Sequence, residues 1–231
     1  MINRYSVLRR IILVLLLVTV IIGCGFKGNG ASDKQYLLRS GDQTVSIQDY
    51  KDALAIMEAA YPHEALNDAK VVTVLKTRLL KQMTEEILLS RQAQEDGITV
   101  SDVDVENEFK AVKGEYPKDA FDKIIVERAI PLDAWKKRLK IKILIDKIIN
   151  KELVATVKLT PEEVKTYYYQ SIRDSNKGMN SEGSSLEKIN PAFVKQLRRE
   201  KALQTYPQWI DQLQKKYTVE FNQKAWNKIA G

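Results

Sequence analysis

The chain reads as a mainly α-helical body with short β-strands near its two ends. Three observations predict this. Val72, Leu75, Leu79, Met83 and Ile87 recur at three- and four-residue steps, the period that lines one face of a helix. Helix-start signals recur at Ser46, Ser101 and Thr160, each ahead of a periodic or acidic run. Alternating or strand-like stretches are confined to 36–45 and 217–221.

Met1–Gly23 reads as an export signal. Arg4, Arg9 and Arg10 form a basic start, and Ile11–Ile22 is an apolar run interrupted only by Thr19. The run is shorter than the roughly 20 apolar residues of a spanning helix. An uncleaved signal anchor with an incidental cysteine is the alternative. Ile21-Ile22-Gly23-Cys24 resembles a bacterial lipobox, in which the cysteine is lipidated and becomes the new N-terminus. Cys24 is thus the candidate lipidation site, and as the only cysteine it leaves no intrachain disulfide to form. Several acyl chains anchor stably where one does not. This reading holds the body to a membrane of the cell envelope, facing the periplasm or the exterior. The net charge of +7 over 231 residues is spread along the chain, with Lys and Arg beside Asp and Glu. That is a solvated surface and not a nucleic-acid interface.

Residues 24–34, rich in Gly, Asn, Ser and Lys, read as a flexible tether. Tyr36–Ser40 and Gln43–Val45 flank Gly41-Asp42, the composition of a tight hairpin. Ser46 caps a helix carrying Tyr50, Leu54, Ile56 and Met57, which Pro62 ends. His63, the sole histidine, reads as a surface loop residue. In the next helix Leu80, Leu88 and Leu89 widen the stripe, which predicts packing on more than one side. Gly97 suits the left-handed position past its end. Ile98-Thr99-Val100 is an extended link to Ser101, with Asp104 three residues on. In Leu159-Thr160-Pro161-Glu162-Glu163, Thr160 caps, Pro161 takes the first helical position and Glu163 closes a capping box.

Residues 171–190 lose apolar periodicity and are punctuated by Gly, Ser and Asn, the pattern of a flexible loop. From Pro191 the helical pattern returns through Phe193, Leu197, Leu203, Trp209, Ile210 and Leu213, with a bend expected near Pro207. It ends at Lys215-Lys216. Tyr217–Phe221 reads as a strand with Tyr217, Val219 and Phe221 on one face.

The pieces "EEILLSRQAQEDGITVSDVDVENEF", "AWKKRLKIKILIDKII" and "VKLTPEEVKTYYYQ", in this order and spacing, resemble the N-terminal chaperone domain of the SurA/PrsA extracytoplasmic foldases. The resemblance runs over roughly residues 36–169 and resumes near the C-terminus. It implies a mainly α, SurA N-terminal-like domain with a small β-ribbon formed by N- and C-terminal strands, Tyr217–Phe221 pairing with Tyr36–Ser40. Residues 35–170 and 191–225 would build that domain. In such foldases a parvulin-type prolyl isomerase commonly sits where 171–190 falls. Twenty residues are too few for a domain, which needs about 50.

Candidate chemistry is sparse. A nucleophile would have only His63 as its base, and one His with one Cys makes no usual zinc site. The acid pairs Glu85/Glu86 and Glu162/Glu163 are explained by a solvated face and a helix cap. No catalytic residue, metal site or cofactor is expected. Client-binding candidates are Tyr61, Met83, Tyr116, Trp135, Tyr167 and Tyr168, since aromatic and Met side chains offer large, adaptable contact area. For each of them an ordinary core position is the plainer reading.

The resemblance therefore implies an ATP-independent chaperone, lipid-anchored through Cys24, for unfolded exported or outer-membrane proteins. The expected partners are such clients, the membrane and, as a further candidate, a second copy of the chain. Nucleic acid is not among them. The alternatives are a structural subunit docking one envelope partner and, behind it, a prolyl isomerase.

Overall fold

The computed structural model describes residues 36–175 and 191–230. The expected signal segment, Cys24, the tether and residues 176–190 lie outside them.

Strands β1 (Tyr36–Ser40) and β2 (Gln43–Ser46) form the hairpin. Gly41 has φ +60°, and a Cβ there would lie 2.8 Å from the Arg91 guanidinium carbon. The turn needs glycine for both reasons. Leu37 and Leu38 are both buried, which strict alternation forbids. The pairing irregularity between Tyr36 and Leu38 permits it. Strand β3 (Glu220–Phe221) pairs antiparallel with β1, Leu38 opposite Phe221 and Arg39 opposite Glu220, giving the order β2-β1-β3. The two ends of the body meet in one sheet, as the resemblance implied.

The third strand is shorter than expected. The Tyr217 amide donates to the Leu213 carbonyl at 2.8 Å, so Tyr217 closes the preceding helix. Its ring is buried with Leu88, Leu89 and Ile210. Burial against those helices outweighs its strand preference.

The helices are α1 (Ile47–Glu58), a single turn α2 (His63–Leu66), α3 (Ala69–Glu95), α4 (Asp102–Gly114), α5 (Ala120–Glu127), α6 (Leu132–Glu152), α7 (Pro161–Ser175), α8 (Pro191–Lys216) and α9 (Gln223–Ala230). Both predicted serine caps close full capping boxes, Ser46 with Asp49 and Ser101 with Asp104. Thr160 and Glu163 form the third. Two expectations need correction, at the end of α7 and at α9. Helix α7 runs through Ser175, five residues into the expected loop, because no Gly or Pro interrupts it before Gly178. Helix α8 runs on through Pro207, as the expected run from Pro191 to Lys216 did. Helix α9 was not anticipated at all, the expected body having ended at 225. Asn222 caps it, its side-chain oxygen accepting from the Ala225 amide at 3.0 Å. Ala225, Trp226 and Ile229 give it an apolar face.

Three groups of buried side chains follow. One joins β1, α1, α3 and α9 through Leu37, Leu38, Tyr50, Leu79, Met83 and Ile229. Tyr50 meets Trp226 edge-on at 5.6 Å and donates to the Lys76 carbonyl at 2.8 Å. Another packs the second half of α3 against α6 and α8 through Leu88, Leu89, Ile148 and Leu213. The third sets α4 against α6 through Val100, Val105 and Leu139. Helix α3 faces both of the first two, which is why its stripe is wide.

Candidate functional site

An open groove of about 550 Å³ runs between β2, α1, the middle of α3, the link 97–100 and the first half of α6. Each wall has a local cause. The hairpin turn is held to α3 by Arg91, whose guanidinium donates to Asp42 at 2.5 Å, and by Gln94, which donates to the other Asp42 oxygen at 2.8 Å. Hydrogen bonding to Gln94 and the Arg91 charge hold the Asp42 carboxyl below the usual range. Gly97 has φ +66° and turns the chain out of α3, after which the Ile98 amide returns to the Ala93 carbonyl at 2.8 Å. Ile98 and Val100 are thereby presented to the groove. Helix α6 supplies Ile141 and Leu144 opposite Met83 and Ile87 of α3.

Most of the charges in the groove are paired with an opposite charge. Arg138 grips Glu86 with two bonds of 2.7 and 2.6 Å across α3 and α6. Lys137 pairs with Asp49, which also accepts from the Ser46 amide at 3.0 Å and the Ser46 hydroxyl at 2.8 Å. Burial pushes the Asp49 carboxyl up, but the bonds from Lys137 and Ser46 outweigh it and hold it below its ordinary value. Lys140 reaches Asp102 at 3.2 Å, and Asp52 accepts from Gln48 at 2.7 Å. What remains is an apolar surface rimmed by paired charges and by Asp52, whose bond is to a neutral amide. Its size is typical of ligand clefts, roughly 300–1,000 Å³.

The six sequence-chosen residues are not brought together. Met83 alone lines the groove, and it is 2% exposed and part of the core beneath it. Tyr61 follows α1, and its carbonyl accepts from Arg128 at 3.5 Å. Tyr116 and Trp135 belong to an aromatic group on α4, α5 and α6. In it Phe121 meets Tyr116 at 5.5 Å and Trp135 at 5.2 Å, edge-on. Tyr167 and Tyr168 pack α7 on α8 against Phe193, at 4.9 and 5.6 Å. Tyr167 also donates to Glu200 at 2.5 Å. Tyr168, 8% exposed, is packing and not open surface. The groove is instead lined by aliphatic residues, and Ile98 and Val100 gave a signal in the extended link that Gly97 introduces.

Elsewhere the candidates for chemistry are engaged structurally. Glu85 accepts from the Tyr206 hydroxyl at 3.4 Å, and Glu163 caps α7 and pairs with Lys201. His63 lies exposed, 3.2 Å from Arg128, whose donated proton leaves Nε2 as the acceptor. Among the described residues, no group of three or more His, Cys, Asp or Glu could hold a metal ion, and no helix is long and apolar enough to cross a membrane.

The family described as "SurA-like N-terminal domain" matches residues 2–149, well over half of the chain. No curated protein matches it.

Proposed function

Since the chain belongs to the family of SurA-like N-terminal domains, a family of extracytoplasmic, chaperone-like binders of client proteins, we propose that it holds unfolded segments of exported or outer-membrane proteins in the groove between β2, α3 and α6. The observation that carries this reading is the groove itself, apolar on its walls, with Lys137, Arg138 and Lys140 each paired to an acid. Such surface gains by burying apolar area, at about 25 cal/mol per Å². The gain is reduced by the ordering entropy that an unfolded segment gives up. Binding is therefore weak and reversible and uses no ATP. The domain works by binding and not by catalysis, and the stretch 176–190 between α7 and α8 is too short for a parvulin-type isomerase, since a domain needs about 50 residues. Lipid on Cys24 would keep the domain beside the membrane across which its clients arrive.

Light scattering from a diluted, unfolded outer-membrane protein tests the central claim. Aggregation is suppressed when this protein is in molar excess, and unchanged scattering refutes the chaperone reading. Labelling with a fatty-acid analogue tests the anchor separately. Label on the wild type and none on Cys24→Ser is expected, and an unlabelled wild type removes the lipid from the account. Proline-limited refolding, which takes tens to hundreds of seconds uncatalysed, is not accelerated.

A further inference from the structure

We propose that β2 is an acceptor strand. An extended, uncharged client segment pairs with its open edge at Thr44 and lays alternate apolar side chains into the groove. The proposal rests on the groove reading above and adds the mode of binding and the class of segment.

Among the described residues, the sheet order places β2 at an edge, with β1 as its one strand neighbour. Ser40 and Gln43 flank a two-residue turn and exchange both of their backbone bonds. The next pair, Arg39 and Thr44, therefore directs its N–H and C=O groups away from the partner strand, and Leu38 and Val45 turn inward again. Thr44 is exposed, and it lines the groove with Gln43 and Val45. The unpaired edge thus opens on the apolar cleft. An edge of this kind accepts another strand unless something blocks it.

The opposite wall already has backbone groups engaged. In the link that follows Gly97, the Ile98 amide is bound to Ala93 and the Thr99 carbonyl accepts from Lys147 at 3.1 Å. A guest strand takes its backbone bonds from β2 and sets its side chains against Ile98, Val100, Ile141 and Leu144. Charge complementarity selects the guest. The cleft holds three acids (Asp49, Asp52, Glu86) and three bases (Lys137, Arg138, Lys140), each engaged with a neighbour. A charged guest gains at most Asp52, whose partner is a neutral amide, and otherwise has to displace one of them, whereas an uncharged guest displaces none.

The test uses the full chain and a fluorescently labelled eight-residue peptide of alternating valine and serine, with both ends blocked. Its binding is followed by anisotropy. Thr44→Pro removes the outward N–H and leaves the bonds to β1 intact, since proline is tolerated on a sheet edge. It weakens binding on the order of tenfold, well beyond any change caused by Thr44→Val, which alters the side chain and keeps the N–H. A peptide N-methylated at every amide keeps its side chains, loses its pairing donors and binds the wild type at least as poorly. This arm stands even if Thr44→Pro fails to fold. Equal affinity in either comparison, no binding by the wild type, or preference for a peptide with lysine or glutamate in place of serine overturns the proposal. So does sedimentation showing a wild-type dimer that Thr44→Pro dissociates, because β2 would then be covered by a second copy. If the wild type suppresses aggregation while these comparisons fail, strand addition is wrong and the chaperone reading stands. If it does not suppress aggregation, that reading falls first.

Discussion

Helices α1 and α4 begin in the same way and end in opposite surroundings. Each starts with a serine and closes a capping box with an aspartate three residues on. Each aspartate is also gripped by a lysine of α6, Asp49 by Lys137 and Asp104 by Lys147. Beyond the cap they diverge. Helix α1 sinks Tyr50 and Ala53 into the core that β1, α3 and α9 complete. Helix α4 buries only Val105, and beside it Val103, Tyr116, Ile124 and Val126 stay exposed, Val126 by 77%. The difference lies in what returns to cover them. The first region is closed by residues 217–230, brought back by the β1–β3 pairing. The second is assembled from near neighbours in the chain and held by edge-to-face rings and surface ion pairs. A cap fixes where a helix begins, and distant chain segments decide what it buries.

The contrast breaks most directly in the core. Leu38→Ala removes a fully buried side chain at the strand that joins both ends, and is expected to cost about 3–4 kcal/mol by urea unfolding. Trp135→Ala removes a half-buried ring with two edge contacts and costs roughly 2 kcal/mol. Equal losses would mean that the aromatic group carries as much of the fold as the closed core does. Next in size is the strut between α3 and α6. Arg138→Met leaves Glu86 without its partner in a largely buried place, at a cost of about 2–3 kcal/mol. Adding Glu86→Leu to it recovers most of that, because no unpaired charge remains. At the other extreme, Val126→Ser on α5 changes stability by no more than about 0.5 kcal/mol.

What the sequence disclosed divides along the same line. The three caps, the Gly97 exit, the α3 stripe and the pairing of the chain ends were legible, because each is written in local spacing or in the family's order of elements. Tyr217 was read as a strand residue, since alternation with Val219 and Phe221 is real. Only the arrival of Leu88, Leu89 and Ile210 turns it into the end of a helix. Helix α9 was missed because eight residues give barely two turns of apolar spacing. The groove was missed for a related reason. Large aromatic residues drew attention, and most of them pack on one another, as Tyr168 does on Phe193. The groove is lined instead by aliphatic residues such as Ile98, Ile141 and Leu144, each half-buried. Nothing in their spacing says that α6 and β2 stand apart by the width of a cleft.

The two capping boxes offer the smallest and finest comparison, through pH. Four hydrogen-bonding and charge effects, led by the Lys147 bond, hold the Asp104 carboxyl at about 2, against an ordinary value of 3.8. A carboxyl depressed in the folded state binds its proton more weakly than in the unfolded chain. Its contribution is therefore complete above pH 4 and is lost as pH falls toward 2. Asp104→Asn should lower the urea midpoint by a constant amount from pH 7 to about 5, and the gap to wild type should close between about 4 and 2. Asp49 is lowered in the same direction, with burial opposing its bonds to Lys137 and Ser46, and Asp49→Asn should show a gap that closes with acid as well. Salt separates the two sites. The Asp104 side chain is 40% exposed and that of Asp49 is 22% exposed. At 1 M salt, where the Debye length is about 3 Å, the Asp104 gap should shrink more than the Asp49 gap. Equal shrinkage would show that α6 grips both caps in equally open water, and the division between a closed and an exposed region would not extend to their helix starts.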